Sequence, residues 1–333
     1  MAYKWGLIDA NFFLRRNFKA AKGMKTLLKG GYENLVRSFL STVFSYQEQF
    51  RLQNIILAWD RYPYKKLETI KEYKSNRHYA NKSDLEKIDE KIAACTDENE
   101  KKKLLKEKAK IQYDYDCEQV FTHAKSSILK HLEGTRIQNI RIQGYEADDI
   151  SYLFTKLVPE TGDRGLIISV DGDWKTFINP SVDYWKEAYS RKYGKGVLCT
   201  MESSKFKFDA EKADCTLYEM GNLRESYTGG HNNVPAYTHK KEIDMIEFSK
   251  RMKSGDETLP DFSTYYPYFK ALNINNYDNK DALDYIRSVM NCEFLKDNHQ
   301  KIAFDYFNII HAKKVKDQYK NIENAKIEVD FIL

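Results

Sequence analysis

Four short apolar runs, each followed at once by carboxylates, set the frame of this chain. WGLID ends on Asp9 and NIILAWD on Asp60; IRIQGYEADD brings Glu146, Asp148 and Asp149; LIISVDGD brings Asp171 and Asp173. Brief apolar runs of this kind suit strands buried on both faces. They give expected strands at 5–8, 54–59, 140–143 and 165–170, with helical patterns at about 32–52, 116–133 and 146–158. Alternation of strand and helix calls for a mostly parallel α/β sheet with helices on both faces, because parallel strands need crossover connections. The composition permits a large core: 333 residues, 42% hydrophobic and 31% charged, which excludes a disordered chain.

The position of the acids matters more than their number. In a parallel sheet the strand C-termini lie along one edge, where open α/β sheets place their sites. Seven carboxylates (Asp9, Asp60, Glu146, Asp148, Asp149, Asp171 and Asp173) would then share a small volume. Close carboxylates repel and resist full ionisation unless cations compensate them. Hard oxygen donors suit Mg²⁺, with Mn²⁺ as a substitute, and two such ions support phosphodiester chemistry. A single acid here could equally be a loop or cap residue, and Asp148 or Asp149 would complement the dipole of a helix starting at EADD.

Net charge is only +5, but it is unevenly spread. Residues 1–77 hold 15 Lys and Arg against 6 Asp and Glu, and the remainder is net acidic. A basic face attracts phosphate backbones. Lys74 and Arg77 stand three apart in EYKSNR, so on a helix they share a face and suit a scissile phosphate. Tyr73 suits stacking on a base. Arg61, directly after Asp60, is a candidate substrate contact.

Residues 82–113 read as a polar helical hairpin joined near 95–99, with Ser83–Glu86 and Asp97–Glu100 as capping pairs and a thin stripe of Leu85, Ile88 and Ile92. From about 201 the chain turns helix-rich and Tyr-rich, which gives expected domains of 1–200 and 201–333; TYYPYF at 264–269 reads as packing within the second. Five scattered cysteines without CxxC point to reduced thiols in a cytoplasmic protein. Neither a signal peptide nor a membrane span is expected. Ser169 lies beside the acids with no base partner in view, the seven His lack nucleophile–base spacing, and neither a Walker motif nor GxGxxG is present.

Taken in order, LIDAN, AWD, EYKSNR, GYEADD and SVDGD resemble the structure-specific 5′ nucleases of the flap endonuclease class. The likeness is strongest to the phage branch that includes the 5′–3′ exonucleases and the RNase H of T-even phages. It covers residues 5–180 well and runs more faintly to about 235. The resemblance implies a PIN-like core and a helical arch at about 74–123 that gates a single-stranded 5′ end. It also implies a C-terminal helical region with a helix–three-turn–helix-like element. It puts Asp9, Asp60, Glu146 and Asp148 at a first metal site and Asp149, Asp171 and Asp173 at a second. Lys74, Arg77 and Asp148 would serve the chemistry, with Tyr73 at the arch base.

The chain departs from the family pattern at TGGHNNVPA, residues 228–236, where Asn232 stands in place of a metal-binding Asp. Asn232 and Asn233 then fall to substrate binding, and the second site is expected to be weaker. The implied activity is metal-dependent hydrolysis of branched or 5′-ended DNA or of RNA–DNA hybrids, as in primer removal during phage replication. The implied state is a monomer in the host cytoplasm, with a single-stranded-DNA-binding protein or a polymerase as partners. A branched-DNA binder with little cleavage, and a PIN-type ribonuclease cutting structured RNA, are the competing readings.

Overall fold

A computed structural model describes residues 3–71, 73–74, 80–132, 137–188, 196–201, 215–228, 245–259 and 262–291. Its centre is a six-stranded sheet in the order β3-β2-β1-β4-β5-β6. The strands are β1 (Trp5–Asp9), β2 (Asn54–Ala58), β3 (Ile137–Ile140), β4 (Gly165–Ser169), β5 (Val182–Lys186) and β6 (Val197–Cys199). All neighbours run parallel except β5 and β6. Every residue of β1, β2 and β4 is buried, as their unbroken apolar runs require.

Three of the four expected strands fall where the sequence puts them. The third ends where it was expected to begin. Ile137 pairs with Ile55 and Ile140 with Ala58, after which the chain turns through Gly144 at φ 83°. Strand β5 carries no clear apolar run, because its second residue is an acid. Asp183 is nonetheless 3% exposed, held by the Tyr3 hydroxyl at 2.8 Å and by Arg164 at 2.6 Å. The three residues of β6 are too few for a periodicity to register.

The helices are α1 (Ala10–Gly23), α2 (Leu27–Phe50), α3 (Tyr64–Thr69), α4 (Lys82–Ala94), α5 (Glu98–His131), α6 (Ala147–Leu157), α7 (Leu217–Thr228), α8 (Met245–Ser254), α9 (Phe262–Leu272) and α10 (Lys280–Met290). Gly31, at φ 57°, interrupts α2, and the expected helix occupies the stretch that follows.

The described residues form two compact units. One gathers residues within 1–12, 45–76 and 134–300. In it α6 lays Ile150, Leu153, Phe154 and Leu157 on a core shared with Leu7, Ile56 and Ile167 of the sheet, and Leu217, Tyr218, Ile274 and Ile286 from later helices join the same core. Tyr265, Tyr268 and Phe269 of α9 are buried, so the Tyr-rich tract does serve packing.

The other unit lies within 13–44 and 77–133 and contains the hairpin of α4 and α5. Helix α4 starts earlier than Ser83: Asn81 is its N-cap, and Asn81 and Asp84 form the capping box. An Asn–Asp pair satisfies the same two backbone donors, so the cap moves two residues towards the N-terminus and Ser83 lies inside the helix. Asp97 caps α5 as expected, accepting from Asn99 N at 2.9 Å and Glu100 N at 2.7 Å. Ile88 is buried at the centre of the apolar stripe. Arg15 of α1 lies 3.5 Å over the Phe121 ring and bonds Glu118 through both carboxylate oxygens. Among the described residues no helix is long and apolar enough to cross a membrane.

Candidate active site

The sheet explains why the acids meet. From β1 the chain adds β2 and β3 on one side and then returns to place β4 on the other. The connections therefore diverge at β1, and side chains at the C-terminal ends of β1 and β4 line the resulting crevice. Asp9 is the last residue of β1, Asp171 follows β4, Asp60 follows β2, and Asp148 lies in the first turn of α6.

Asp9 is 5% exposed. Its Oδ1 accepts from Phe12 N at 2.9 Å, which caps α1, and its Oδ2 accepts from the Ser169 hydroxyl at 2.8 Å. Burial, followed by the charges of Asp60 and Asp171, pushes its carboxyl up to about 7, against these two hydrogen bonds. Asp148 is held by the Trp174 indole, which donates to Oδ1 at 2.7 Å. Burial and the neighbouring Asp171 and Asp9 push its carboxyl well above the usual carboxylate range, although Lys74 pulls the other way. Asp60 accepts from Ala147 N at 2.8 Å and Asn11 Nδ2 at 2.9 Å. Asp171 caps the turn Gly172–Thr176 through Asp173 N, and Asp173 itself is exposed.

Glu146 and Asp149 belong to a different arrangement. Lys66, 4% exposed, reaches Glu146 Oε2 at 2.8 Å and Asp149 Oδ1 at 3.0 Å. The Tyr73 hydroxyl donates to Glu146 Oε2 at 2.8 Å, and Lys74 Nζ pairs closely with Oε1. Asp149 Oδ2 accepts from Glu146 N at 2.9 Å. Burial alone would raise the Glu146 carboxyl; the ammonium groups of Lys66 and Lys74 outweigh it and hold the group far below its ordinary range. Burial would likewise strip Lys66 of its proton, but Asp149 and Glu146 hold it charged. Both oxygens of each acid are thus already engaged by this chain's own donors.

The seven acids therefore divide. Asp9, Asp60, Asp148 and Asp171 lie at one edge and repel one another; Glu146 and Asp149 pair with Lys66, although burial still holds the Asp149 carboxyl above its ordinary range; Asp173 is exposed and belongs to neither group. Among the described residues no three His, Cys, Asp or Glu side chains are gathered tightly enough to hold an ion as they stand. The donor chemistry does fit a hard cation: oxygen donors, excess negative charge, and two carboxyls, those of Asp9 and Asp148, held against ionisation by burial and by neighbouring acids.

Tyr73 does not present a stacking face. It is 5% exposed and packs with Ile70, Tyr268 and Leu272, and its hydroxyl orients Glu146. Lys74 sits at φ 56°, a left-handed conformation uncommon outside glycine and costly enough to mark a constrained position. Arg61 is exposed beside Asp60. Arg77, Asn232 and Asn233 lie outside the described residues.

Sequence reasoning missed Lys66 and Trp174 as parts of this site. Lys66 sits in a run of basic residues that reads as solvated, and only the fold shows that α3 turns it inward. Ser169, which has no base partner in the sequence pattern, orients Asp9 with its hydroxyl and accepts from Asp171 N at 3.1 Å.

The chain is 28% identical over 202 residues to the flap endonuclease of Escherichia phage T5, a stretch covering 58% of this chain and 60% of that protein's length. It is also similar to solved T5 structures. One is the T5 5′-exonuclease with divalent zinc ions bound, at 17% identity and a TM-score of 0.46 over 92% of this chain and 99% of that one. Another is a T5 flap endonuclease pseudo-enzyme–product complex with DNA and metal ions, at 16% identity and a TM-score of 0.44 over 91% and 99%. The model of the 5′–3′ exonuclease N-terminal resolvase-like domain matches residues 4–207, more than half of the chain, and the protein belongs to that family.

Proposed function

We propose that this protein is a divalent-metal-dependent, structure-specific 5′ nuclease that hydrolyses phosphodiesters of branched or 5′-ended DNA and of RNA–DNA hybrids. The observation that carries the reading is the group of carboxylates at the C-terminal edge of the parallel strands, Asp9 and Asp148 foremost, which burial and their mutual charge hold against ionisation. Asp9, Asp60, Asp148 and Asp171 would hold the cation, Mg²⁺ in the cell with Mn²⁺ as a substitute. A bound divalent cation supplies a water of lowered pKa and neutralises charge on the phosphodiester. Ser169 and Trp174 fix the directions of the Asp9 and Asp148 carboxylates. Lys74 brings an ammonium group to the same edge, where it suits the scissile phosphate, with Arg77 as its partner in the EYKSNR motif.

A second ion would rest mainly on Asp171 and Asp173, because Asp149 is committed to Lys66. Residues 1–200 would form the catalytic part, with the hairpin as its arch, and 201–333 a helical part gripping nucleic acid through Asn232 and Asn233. The biological setting we propose is primer or flap removal in phage replication, with a single-stranded-DNA-binding protein or polymerase nearby.

The test is cleavage of a 5′-labelled flap and a 5′-labelled RNA–DNA hybrid with Mg²⁺ or Mn²⁺, beside the Asp148→Asn variant. We expect metal-dependent cleavage that falls by about 10²-fold or more in the variant. Equal turnover by the two proteins would remove the site assignment. Tight binding of a branched substrate without metal-dependent cleavage would instead make the protein a branched-DNA binder.

A further inference from the structure

Two arginines lie in neighbouring loops at the C-terminal ends of β2 and β3. Arg141 is the first residue after β3, and Arg61 lies three residues after β2. The paired strands bring the two loops together: Trp59 N donates to Ile140 O at 3.0 Å, and Arg61 N to Tyr145 O at 3.1 Å. Arg141 Nε is buried and makes no hydrogen bond, and among the described residues neither guanidinium forms a salt bridge. Burial, and then the charge of Arg61, lowers the affinity of Arg141 for its proton. The Nε of this half-buried side chain has lost water without gaining a partner, and a second cation nearby makes the position costlier still.

We infer that Arg61 and Arg141 form a phosphate-binding site for the nucleic-acid strand, one that takes a backbone phosphodiester beside the scissile one. Arginine suits this role because its planar fork bonds phosphate oxygens bidentately. The placement is consistent along the chain: Arg61 adjoins Asp60, and the loop after Arg141 leads into Glu146 and Asp148. One anion at the exposed ends of the two side chains relieves the repulsion between their charges. The inference rests on the nuclease reading for its substrate, while the site itself is defined by the two guanidinium groups.

The experiment is binding of a fluorescent 5′-flap oligonucleotide to the full chain in EDTA, where cleavage is excluded, as a function of salt. Wild type, Arg61→Gln, Arg141→Gln and the double variant are compared. Neutralising one phosphate contributes a slope of about −0.9 to log K against log salt. The double variant is expected to lose about one unit of slope, and each single variant to lose affinity several-fold. Thermal melting gives a second readout. Arg141→Gln is expected to melt at or above the wild-type temperature without ligand, and added pyrophosphate should stabilise wild type more than the variant. Unchanged slope and affinity in the double variant would overturn the site. So would a variant that melts well below wild type and responds equally to pyrophosphate, since Arg141 would then be structural. Because binding is read without metal, loss of this site and failure of cleavage are separately visible.

Discussion

Lys66 and Glu146 form a buried ion pair at 2.8 Å, with each side chain 5% exposed. The pair joins helix α3 to the N-terminus of α6, so it fixes the first turn of the helix that carries Asp148. Asp149, held by the same ammonium, closes the arrangement from within that turn. A buried pair of this kind adds little net stability when intact, because desolvation opposes the attraction, but breaking one side leaves a stranded charge.

Lys66→Met is therefore expected to destabilise the fold by about 3–5 kcal/mol. Urea denaturation monitored by circular dichroism measures it. Adding Asp149→Asn to the same protein should recover part of the loss, since less uncompensated charge remains. A single variant as stable as wild type would show that Glu146 and Asp149 are solvated in its absence.

Ser169 is fully buried and bonds Asp9 with its hydroxyl while accepting from Asp171 N. Ser169→Ala removes both contacts and leaves every proposed ligand in place. Partners that orient metal ligands are worth about 10–100-fold in metal affinity. The concentration of Mn²⁺ giving half-maximal cleavage should rise by that factor, with maximal rate changed far less. A change in maximal rate alone would count against an orienting role.

The carboxylates set a pH dependence in chelating buffer. Asp9 ionises near 7 in the folded protein against 3.8 in the unfolded chain, so the native state holds its proton more tightly. Stability then falls as pH rises from about 4 to about 7. Glu146 acts in the opposite direction: its depressed carboxyl contributes stability above 4.5 that is lost as pH falls further. Melting temperatures in EDTA should peak near pH 4–5 and decline towards 7, and Asp9→Asn should flatten the decline.

The hairpin depends on its caps because it has one thin apolar stripe. Asn81→Ala removes the side-chain acceptor for Asp84 N and should cost about 1 kcal/mol. Hydrogen exchange should show faster exchange confined to the first turns of α4. Fraying that spread through α5 would mean that the two helices fold as one unit.

The sequence by itself determined the parallel core and the acids at its edge. Apolar runs without alternation mark strands buried on both faces, and a run closing on Asp9 or followed by Asp171 puts that residue at a strand's C-terminal end. Both signals are local, so they can be read along the chain. Two things were out of reach. One was strand β5, whose buried Asp183 is acceptable because Arg164 and Tyr3, the latter 180 positions away, hold its carboxylate. The other was the division of the acids. Asp9, Asp60, Glu146, Asp148, Asp149 and Asp171 look equivalent as letters, and what separates them is whether a lysine forms a direct ion pair with them. That depends on α3 turning Lys66 inward against Glu146 and Asp149. Charge compensation is set by distances between residues far apart in sequence, and only the tertiary structure supplies those distances.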